Sequence, residues 1–215
     1  LRYGIPSFKL EKDVIDAEID VMRQMGVEIR CGVEVGKDIT LEELRKEGYK
    51  AFYIAIGCQG GRLPGIPGEE AEGTMPAVEL LKKVSEDEKY QISGNVVVIG
   101  GGNVAIDVAR TSTRCGADSV QMYCLESREK MPASVDEIEE AEEENIQIHC
   151  GWGPKEVLVK DGKVAGIILK KCVSVFDENG RFAPVYDEED TREVPCEHVY
   201  FSVGQSISWG DLLKD

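Results

Sequence analysis

Three consecutive glycines stand between an apolar run and a helical pattern. Residues 96–99 are apolar at every position, as in a strand buried on both faces, and Gly100-Gly101-Gly102 follows directly. In a strand–turn–helix unit, the pattern G-x-G-x-x-A reverses the chain, admits a diphosphate and packs the helix close to the strand. Amides at the positive end of the helix dipole would face the phosphates. The pattern predicts a dinucleotide-binding turn formed by Gly100, Gly101, Gly102, Asn103, Val104 and Ala105.

An acid follows the next apolar run. Residues 119–124 have the composition of a second strand, and Glu126 comes just after it. The separation of Glu126 from Gly100 is close to the offset of about 20 residues at which a carboxylate accepts hydrogen bonds from the adenosine ribose. We therefore expect Glu126 to contact the cofactor. In the alternative interpretation, the glycines only form a tight turn and Glu126 is a solvated acid at the end of a strand.

The chain carries a strong negative charge. Its formal net charge of −16 over 215 residues, without an offsetting basic patch, would repel nucleic acid and acidic lipid, so we expect neither as a partner. No apolar stretch approaches the ~20 residues that span a bilayer, and no signal peptide is recognised. The acidic runs 136–144 and 187–190 have no His or Cys at ligand spacing, which predicts solvent-facing surfaces and no metal site.

The cysteines and histidines give no sign of a redox centre. Seven cysteines are scattered without a C-x-x-C pair, which predicts reduced thiols, a cytoplasmic location, and neither a dithiol centre nor a cluster-binding motif in this chain. His149 and His198 fall in predicted strands, where we expect a structural role.

Hydrophobic periodicity places these residues in an alternating pattern of helices and strands, which changes to a β pattern after residues 153–154. Two capping boxes, Thr40 with Glu43 and Ser134 with Glu137, are predicted to begin helices. The other predicted elements are an amphipathic helix over 10–25, a strand over 27–31, a helix over 41–46, a buried strand over 51–56, a loop over 57–68, a helix over 77–84, a crossing segment over 85–93, a strand over 145–149, a hairpin over 157–169 turning at Asp161-Gly162, a second turn over 177–180 and a strand over 198–203. We predict an α/β fold: a Rossmann-like parallel sheet with helices on both faces, plus an antiparallel β meander.

Five stretches in this order resemble the flavin-dependent pyridine nucleotide oxidoreductases of the glutamate synthase small-subunit type. They are Gly4-Ile5-Pro6 with Phe8-Lys9-Leu10, Ala55-Ile56-Gly57 with Ile66-Pro67-Gly68, GGGNVAIDVAR at 100–110, Met131-Pro132-Ala133, and Val203-Gly204-Gln205. The resemblance covers nearly the whole chain. It implies a flavin domain interrupted by an inserted NAD(P)H domain, with hydride passing from the nicotinamide to FAD and then to iron–sulfur centres of a partner.

The resemblance also implies that this sequence is part of a longer protein. Residues 1–90 correspond to a partial FAD-binding domain and linker, 91–205 to the NAD(P)H-binding domain, and 206–215 to the start of the return to the FAD domain. We expect this chain alone to bind the nucleotide, to hold FAD weakly or not at all, and to be inactive, because hydride transfer needs the two cofactors at near-attack distance. Direct transfer between cofactors requires no catalytic acid, base or nucleophile from the protein.

The residues after the second strand bear on the choice of nicotinamide cofactor. NADPH-using relatives have a pair of arginines where this chain has Leu125 and Glu126. A carboxylate there accepts the ribose hydroxyls of NAD and repels a 2′-phosphate, so NAD(H) is expected over NADP(H). Arg128 and Lys130 are either phosphate ligands or part of a solvated loop.

Three further residues match the family pattern and have two interpretations. Gly204, at the end of the last predicted strand, either borders the nucleotide cleft or is a turn glycine. Asp107 is expected to complement the helix dipole and Arg110 to pair with a neighbouring acid, rather than to contact the cofactor.

Two other functional classes use a similar turn. In a non-catalytic NAD(H)-sensing module, the meander would transmit nucleotide occupancy to a partner. S-adenosylmethionine-dependent methyltransferases also combine a glycine turn with a strand-end acid, but the meander does not suit them.

Overall fold

The computed structural model describes residues 1–214, which form two compact units. The larger unit contains residues 1–9 and 61–204, and the smaller unit contains residues 10–60 and the residues from Gln205 onward. None of the helices within the described residues combines the length and apolarity needed to cross a lipid bilayer.

A five-stranded parallel sheet forms the centre of the larger unit. Its strands are β2 (Thr74–Pro76), β3 (Asn95–Ile99), β4 (Ser119–Cys124), β5 (Gln147–Cys150) and β9 (His198–Phe201). They run in the order β2-β9-β3-β4-β5, and each neighbouring pair is parallel. Adjacent strands β3 and β4 therefore end at the same edge of the sheet, where the predicted glycine turn and Glu126 lie.

Alternating side chains of β3 face two different cores. Val96 and Val98 pack with helices α3 (Ala77–Glu86), α4 (Asn103–Arg114) and α5 (Val135–Glu143), whereas Val97 and Ile99 pack on the opposite face. Because successive side chains of a strand point to opposite faces, a fully apolar strand needs both faces covered. The expected parallel sheet is confirmed, but within this unit the helices lie on one face and not on both.

An antiparallel meander covers the second face. It consists of β6 (Trp152–Lys160), β7 (Lys163–Phe176) and β8 (Phe182–Val194), in the order β6-β7-β8, and contributes Ile167 and Leu169 to the core behind Val97. The predicted turns are confirmed. Asp161 and Gly162 both have positive φ, 52° and 79°, as a type I′ hairpin turn requires, and Asp177 N–H donates to the Arg181 carbonyl at 2.9 Å.

The larger unit begins earlier in the chain than the predicted nucleotide domain, which began at residue 91. Strand β2 pairs with β9, and helix α3 packs into the core with Leu80 fully buried. The segment between residues 61 and 90 therefore belongs to the same unit as the parallel sheet. The three residues of β2 are too few to show a periodicity, which is why the sequence did not reveal them.

The smaller unit contains α1 (Lys12–Gln24), α2 (Leu41–Lys46) and the two-residue strand β10 (Gln205–Ser206), and the strand β1 (Gly60–Gly61) has one residue in each unit. The capping box of Thr40 and Glu43 is confirmed: the Thr40 hydroxyl accepts from the Glu43 amide at 3.1 Å, and the Glu43 carboxylate accepts from the Thr40 amide at 2.9 Å. The helix over 10–25 is confirmed as α1, but Val14 and Val21 of its apolar side are exposed.

Two predicted strands of the smaller unit are absent. Residues 27–31 and 51–56 have no strand pairing in the described structure, and Tyr53 is 95% exposed. An apolar run forms a strand only when at least one neighbouring strand accepts and donates its backbone hydrogen bonds. No described strand of this unit does so for residues 51–56, which is why the prediction is wrong here.

Candidate functional site

The glycine turn leads directly from β3 into α4. Gly100 has φ 144°, and a Cβ atom built there would lie 2.5 Å from the Ser202 carbonyl oxygen, so glycine is required at this position. Gly102 is the N-cap residue of α4 and has no side-chain cap. No atom lies within 4 Å of a Cβ atom built on Gly102, so the space in front of the helix start is open. The Ala105 and Ile106 amides both donate to the Gly102 carbonyl, at 2.9 and 3.2 Å, which leaves the amides of the first two helical residues, Asn103 and Val104, for a ligand in that space.

A neighbouring segment holds the turn from the side. The Ala133 amide donates to the Gly101 carbonyl at 3.0 Å, and the Ser134 amide donates to Asn103 Oδ1 at 2.9 Å. The Asn103 side chain thus joins the turn to the start of α5. Ser134 is the N-cap of α5 but makes no side-chain cap bond, so the predicted capping box with Glu137 is wrong. Glu137 pairs instead with Lys9.

Glu126 faces this turn from the end of β4. Its Oε2 atom lies 3.1 Å from a Cβ atom built on Gly101, and the Cβ atom of Cys124 lies 2.9 Å from the same point. The backbone of Glu126 is fixed because its carbonyl accepts from the Gly151 amide at 3.0 Å. A carboxylate therefore stands beside the glycine turn, with no room between them for a side chain at residue 101.

These residues line a cleft of about 600 Å³ in the larger unit, a size typical of ligand sites. Gly100, Gly101, Gly102 and Glu126 form one wall. The meander forms the other wall with Trp152, Lys170, Phe182, Pro184 and Tyr186, and Arg62 also lines the cleft. The sequence did not reveal this second wall because its residues are far from the turn along the chain and belong to a segment with only a hairpin pattern.

The remaining predicted site residues lie outside the lining of this cleft. Ala105 is fully buried in the core, as a residue that keeps α4 close to β3 should be, and Val104 packs against the same core. The Gly204 carbonyl accepts from the Arg62 amide at 3.2 Å. Arg128 donates to Glu142 at 2.7 Å and lines a second cleft of about 510 Å³ that also contains Glu126 and Lys130.

Asp107 and Arg110 belong to a charge network on the helical side of the sheet. Arg110 pairs with Glu140 and donates to Glu144 at 2.9 Å, which confirms the expected structural role. Asp107 pairs with Lys9, so its role is not limited to the helix dipole. Burial raises the pKa of Asp107, and the Lys9 ammonium group partly offsets this rise. The acidic run 136–144 thus faces cations of the fold as well as solvent, which corrects the prediction of a solvent-facing surface.

The two histidines make contacts within the fold. The His149 ring stacks on Tyr123 at a centroid distance of 4.6 Å, and burial lowers the pKa of His149. His198 Nε2 lies 3.1 Å from the Ser93 carbonyl. Among residues 1–214, no three His, Cys, Asp or Glu side chains are grouped in a way that could hold a metal ion.

The parallel sheet, the glycine turn after its central strand and the carboxylate after the neighbouring strand define a Rossmann-like α/β domain of the dinucleotide-binding class. The chain belongs to the pyridine nucleotide-disulphide oxidoreductase family, whose sequence pattern it matches over residues 5–209.

Two characterised relatives show where the chain lies within longer proteins. It is 34% identical over 213 residues to the NADP(+)-dependent formate dehydrogenase subunit beta of Moorella thermoacetica, covering 96% of this chain and 30% of that protein. It is 34% identical over 217 residues to the glutamate synthase [NADPH] small chain of Escherichia coli, covering 95% of this chain and 46% of that protein. The resemblance to the glutamate synthase small subunit is confirmed, and the chain spans less than half of either relative.

Solved structures show the same fold at lower identity. Mycobacterium tuberculosis FprA in complex with NADPH superposes with a TM-score of 0.75 and 19% identity, covering 95% of this chain and 61% of that one. The thioredoxin reductase of T. acidophilum superposes with a TM-score of 0.53 and 18% identity, covering 72% of this chain and 44% of that one.

Proposed function

We propose that the larger unit binds a nicotinamide dinucleotide in the cleft between the glycine turn and the meander. In the whole protein, this nucleotide supplies hydride to a flavin, from which electrons pass to iron–sulfur centres of a partner. The single observation that carries the proposal is the position of the Glu126 carboxylate beside Gly101, with open space in front of Gly102.

The diphosphate would lie in front of α4. Gly102 leaves room for close approach, and the unpaired amides at the start of a 12-residue helix supply donors and a positive dipole end. Because the chain as a whole is acidic, local cations matter for an anionic ligand. Arg62 and Lys170 both line this cleft, although the Lys170 ammonium group already pairs with Glu188 at 2.7 Å.

The adenosine would lie at the Glu126 end of the cleft. Glu126 accepts hydrogen bonds from the two ribose hydroxyls in this arrangement. Beside it, the side chains of Leu125 and Tyr186 both pack against Gly153. A Cβ atom built on Gly153 would lie 2.8 Å from Leu125 Cδ2 and 2.6 Å from Tyr186 Cε1, so only glycine leaves space for both side chains. Such a surface suits the flat face of an adenine ring.

We further propose a preference for NAD(H) over NADP(H). The charge at Glu126 supports it, since a carboxylate that accepts from ribose hydroxyls repels a 2′-phosphate. The names of the two relatives contain NADP(+) and NADPH, which favours the opposite preference. Arg128 donates to Glu142, with 41% of its side chain exposed, and is the nearest arginine in sequence to Glu126.

The smaller unit supports a two-domain arrangement of the whole protein. It combines residues 10–60 with the residues from Gln205 onward, so the larger unit interrupts it in the chain. This is the connectivity expected of a flavin domain carrying an inserted nucleotide domain, and the exposed apolar segment 51–56 suits a strand of an incomplete sheet. We propose that the smaller unit is part of the flavin domain and that this chain alone retains no FAD and has no reductase activity.

Calorimetric titration with NADH, NADPH and S-adenosylmethionine tests the proposal. We expect both nicotinamide dinucleotides to bind, NADH more tightly, and no heat from S-adenosylmethionine. If neither nicotinamide dinucleotide bound to the folded chain, the nucleotide assignment would be wrong. If NADPH bound more tightly, only the proposed preference would be lost. Gel filtration after incubation with FAD tests the flavin statement, since flavin absorbance that travels with the protein would contradict it.

A further inference from the structure

Two cysteines that are distant in sequence are adjacent in the fold. Cys124 ends β4 and Cys150 ends β5, and the two residues are register partners on neighbouring parallel strands. Their Sγ atoms lie 3.8 Å apart. Neighbouring strands are spaced about 4.7–4.9 Å apart, which falls within the Cα separations of about 4.4–6.8 Å found in disulfides. The sequence predicted no dithiol centre because it contains no C-x-x-C pair. The pairing of β4 with β5 nevertheless places two thiols side by side.

We propose that Cys124 and Cys150 are a redox modification site, which a low-molecular-weight disulfide such as oxidised glutathione converts reversibly into an intramolecular disulfide that weakens nucleotide binding. The effect on binding rests on the proposed function. The formation of the disulfide does not.

The two thiols differ in exposure, which assigns them different roles. Cys150 is half-buried and lines the second cleft beside Glu126, so an outside disulfide reaches it first. Cys124 is 2% exposed, so it is shielded from an outside reagent, and its burial, together with the nearby Cys150, raises the pKa of its thiol.

The exchange balances in two steps. The Cys150 thiolate attacks one sulfur of oxidised glutathione, the glutathione S–S bond breaks, and a first glutathione leaves as a thiol. Cys124 then loses its proton and attacks the Cys150 sulfur of the mixed disulfide, and a second glutathione leaves. The two protein thiols lose two electrons and two protons in total, and oxidised glutathione gains them. The Met131 sulfur, 3.9 Å from Cys150, packs beside the pair and takes no part.

Closing this bond would change the nucleotide cleft. A disulfide is about 2.0 Å long, so the sulfurs must approach each other from their present 3.8 Å. The Cβ atom of Cys124 lies 2.9 Å from the Cβ position of Gly101, and Glu126 is only two residues further along the chain. Because this packing is tight, a shift of Cys124 moves the glycine turn and the Glu126 carboxylate relative to each other.

The experiment treats the protein with oxidised or reduced glutathione and maps disulfides by tandem mass spectrometry. Trypsin leaves Cys115 and Cys124 in one peptide, so fragmentation must assign the linkage to Cys124. NADH affinity is then measured in both states and again after reduction with dithiothreitol. We expect a Cys124–Cys150 link and an NADH affinity lowered about tenfold or more, the effect of losing one hydrogen bond to a charged group. Dithiothreitol should restore the affinity.

Two variants serve as controls. Cys150→Ser should form no link at Cys124 and should keep its NADH affinity under oxidised glutathione. Cys172→Ser removes another buried thiol, whose Sγ donates to the Ser174 carbonyl at 3.4 Å, and should behave like the unmodified sequence.

The outcomes separate the two proposals. A lasting glutathione adduct on Cys150, or no link between the two cysteines, overturns the modification site. A link that leaves NADH affinity unchanged overturns its effect on binding. A link in a protein that binds no nicotinamide dinucleotide even when reduced supports the modification site and contradicts the proposed function.

Discussion

The Glu126 carboxylate oxygen Oε2 lies 3.1 Å from the point at which Gly101 would carry a Cβ atom. The end of β4 is therefore close to the turn after β3, and the Glu126 carboxylate lies in the cleft beside that turn. Under the proposed function, a negative charge at this point would discriminate between NADH and NADPH, which differ by one phosphate.

Reversing this charge should change the nucleotide preference. We expect Glu126→Arg to raise the affinity ratio of NADPH to NADH by about tenfold or more, because the arginine can pair with a 2′-phosphate and no longer accepts from the ribose hydroxyls. Calorimetry with both nucleotides measures the ratio. The exposed Glu88→Arg in the same unit makes the same change in net charge and should leave the ratio unaltered. An equal shift in both variants would attribute the effect to net charge alone.

A side chain at Gly102 should block the diphosphate without harming the fold. The space around a Cβ atom at this residue is empty, and its φ of −94° is accessible to all residues. We therefore expect Gly102→Val to remove measurable NADH binding while the thermal unfolding midpoint stays close to its original value. Gly4→Val is the matched control, since Gly4 also has no atom within 4 Å and lies in the same unit. Full affinity in Gly102→Val would show that the phosphates lie elsewhere.

A side chain at Gly100 should instead destabilise the larger unit. Its φ of 144° is unfavourable for residues with a Cβ atom, and that atom would lie 2.5 Å from the Ser202 carbonyl oxygen. We expect Gly100→Ala to lower the free energy of unfolding by about 1–3 kcal/mol, as measured by urea denaturation. Gly102→Ala, which enters open space, should lower it by less than about 0.5 kcal/mol. Equal losses would mean that the turn does not have the described geometry.

The charge network around Arg110 should make stability depend on pH. Burial alone would raise the pKa of Glu144, but hydrogen bonds from Arg114 and Arg110 outweigh it and hold this pKa below its usual range. A carboxylate with a lowered pKa in the folded state stabilises the fold above its unfolded-state pKa, and this contribution disappears as the pH falls through the folded-state value.

We therefore expect Arg110→Met to lower the free energy of unfolding by about 1–3 kcal/mol at neutral pH, and by less below about pH 4. Urea denaturation across this pH range measures the difference between the two proteins. Lys163→Met removes an exposed pair with Glu72 and should change the free energy by less than about 0.5 kcal/mol at every pH. A loss for Arg110→Met that does not decrease between pH 7 and the range below about pH 4 would exclude the carboxylates as its cause.

Local patterns predicted the elements whose cause is local. The turn at Asp161-Gly162, the capping box at Thr40 and the apolar run of β3 each depend on a few adjacent residues, and all three are found. Segment 51–56 has the same apolar character as β3, yet it forms no strand in the described residues, because a strand is completed by partners that its own sequence does not specify.

The candidate site likewise combines features that local patterns predict with features that depend on distant parts of the chain. The glycine pattern and the offset of Glu126 predicted that the turn and the carboxylate lie at one ligand site, and the structure places both in the lining of the cleft. Local patterns suffice here because consecutive βα units repeat the same geometry. Trp152 and Tyr186 on the opposite wall, and the contact between Cys124 and Cys150, depend on how distant segments pack. No spacing rule in the sequence specifies such contacts.

The hydrogen bonds from Ala133 to Gly101 and from Ser134 to Asn103 have a consequence for the kinetics of association. A turn that is tied to a neighbouring segment already has its final shape before any ligand arrives. The Ala133 and Ser134 amide hydrogens, which are donated in these two bonds, should exchange slowly with solvent even in the free protein, and association should need no slow isomerisation. The observed rate of nucleotide association should then rise in direct proportion to nucleotide concentration, without the plateau that marks a conformational step.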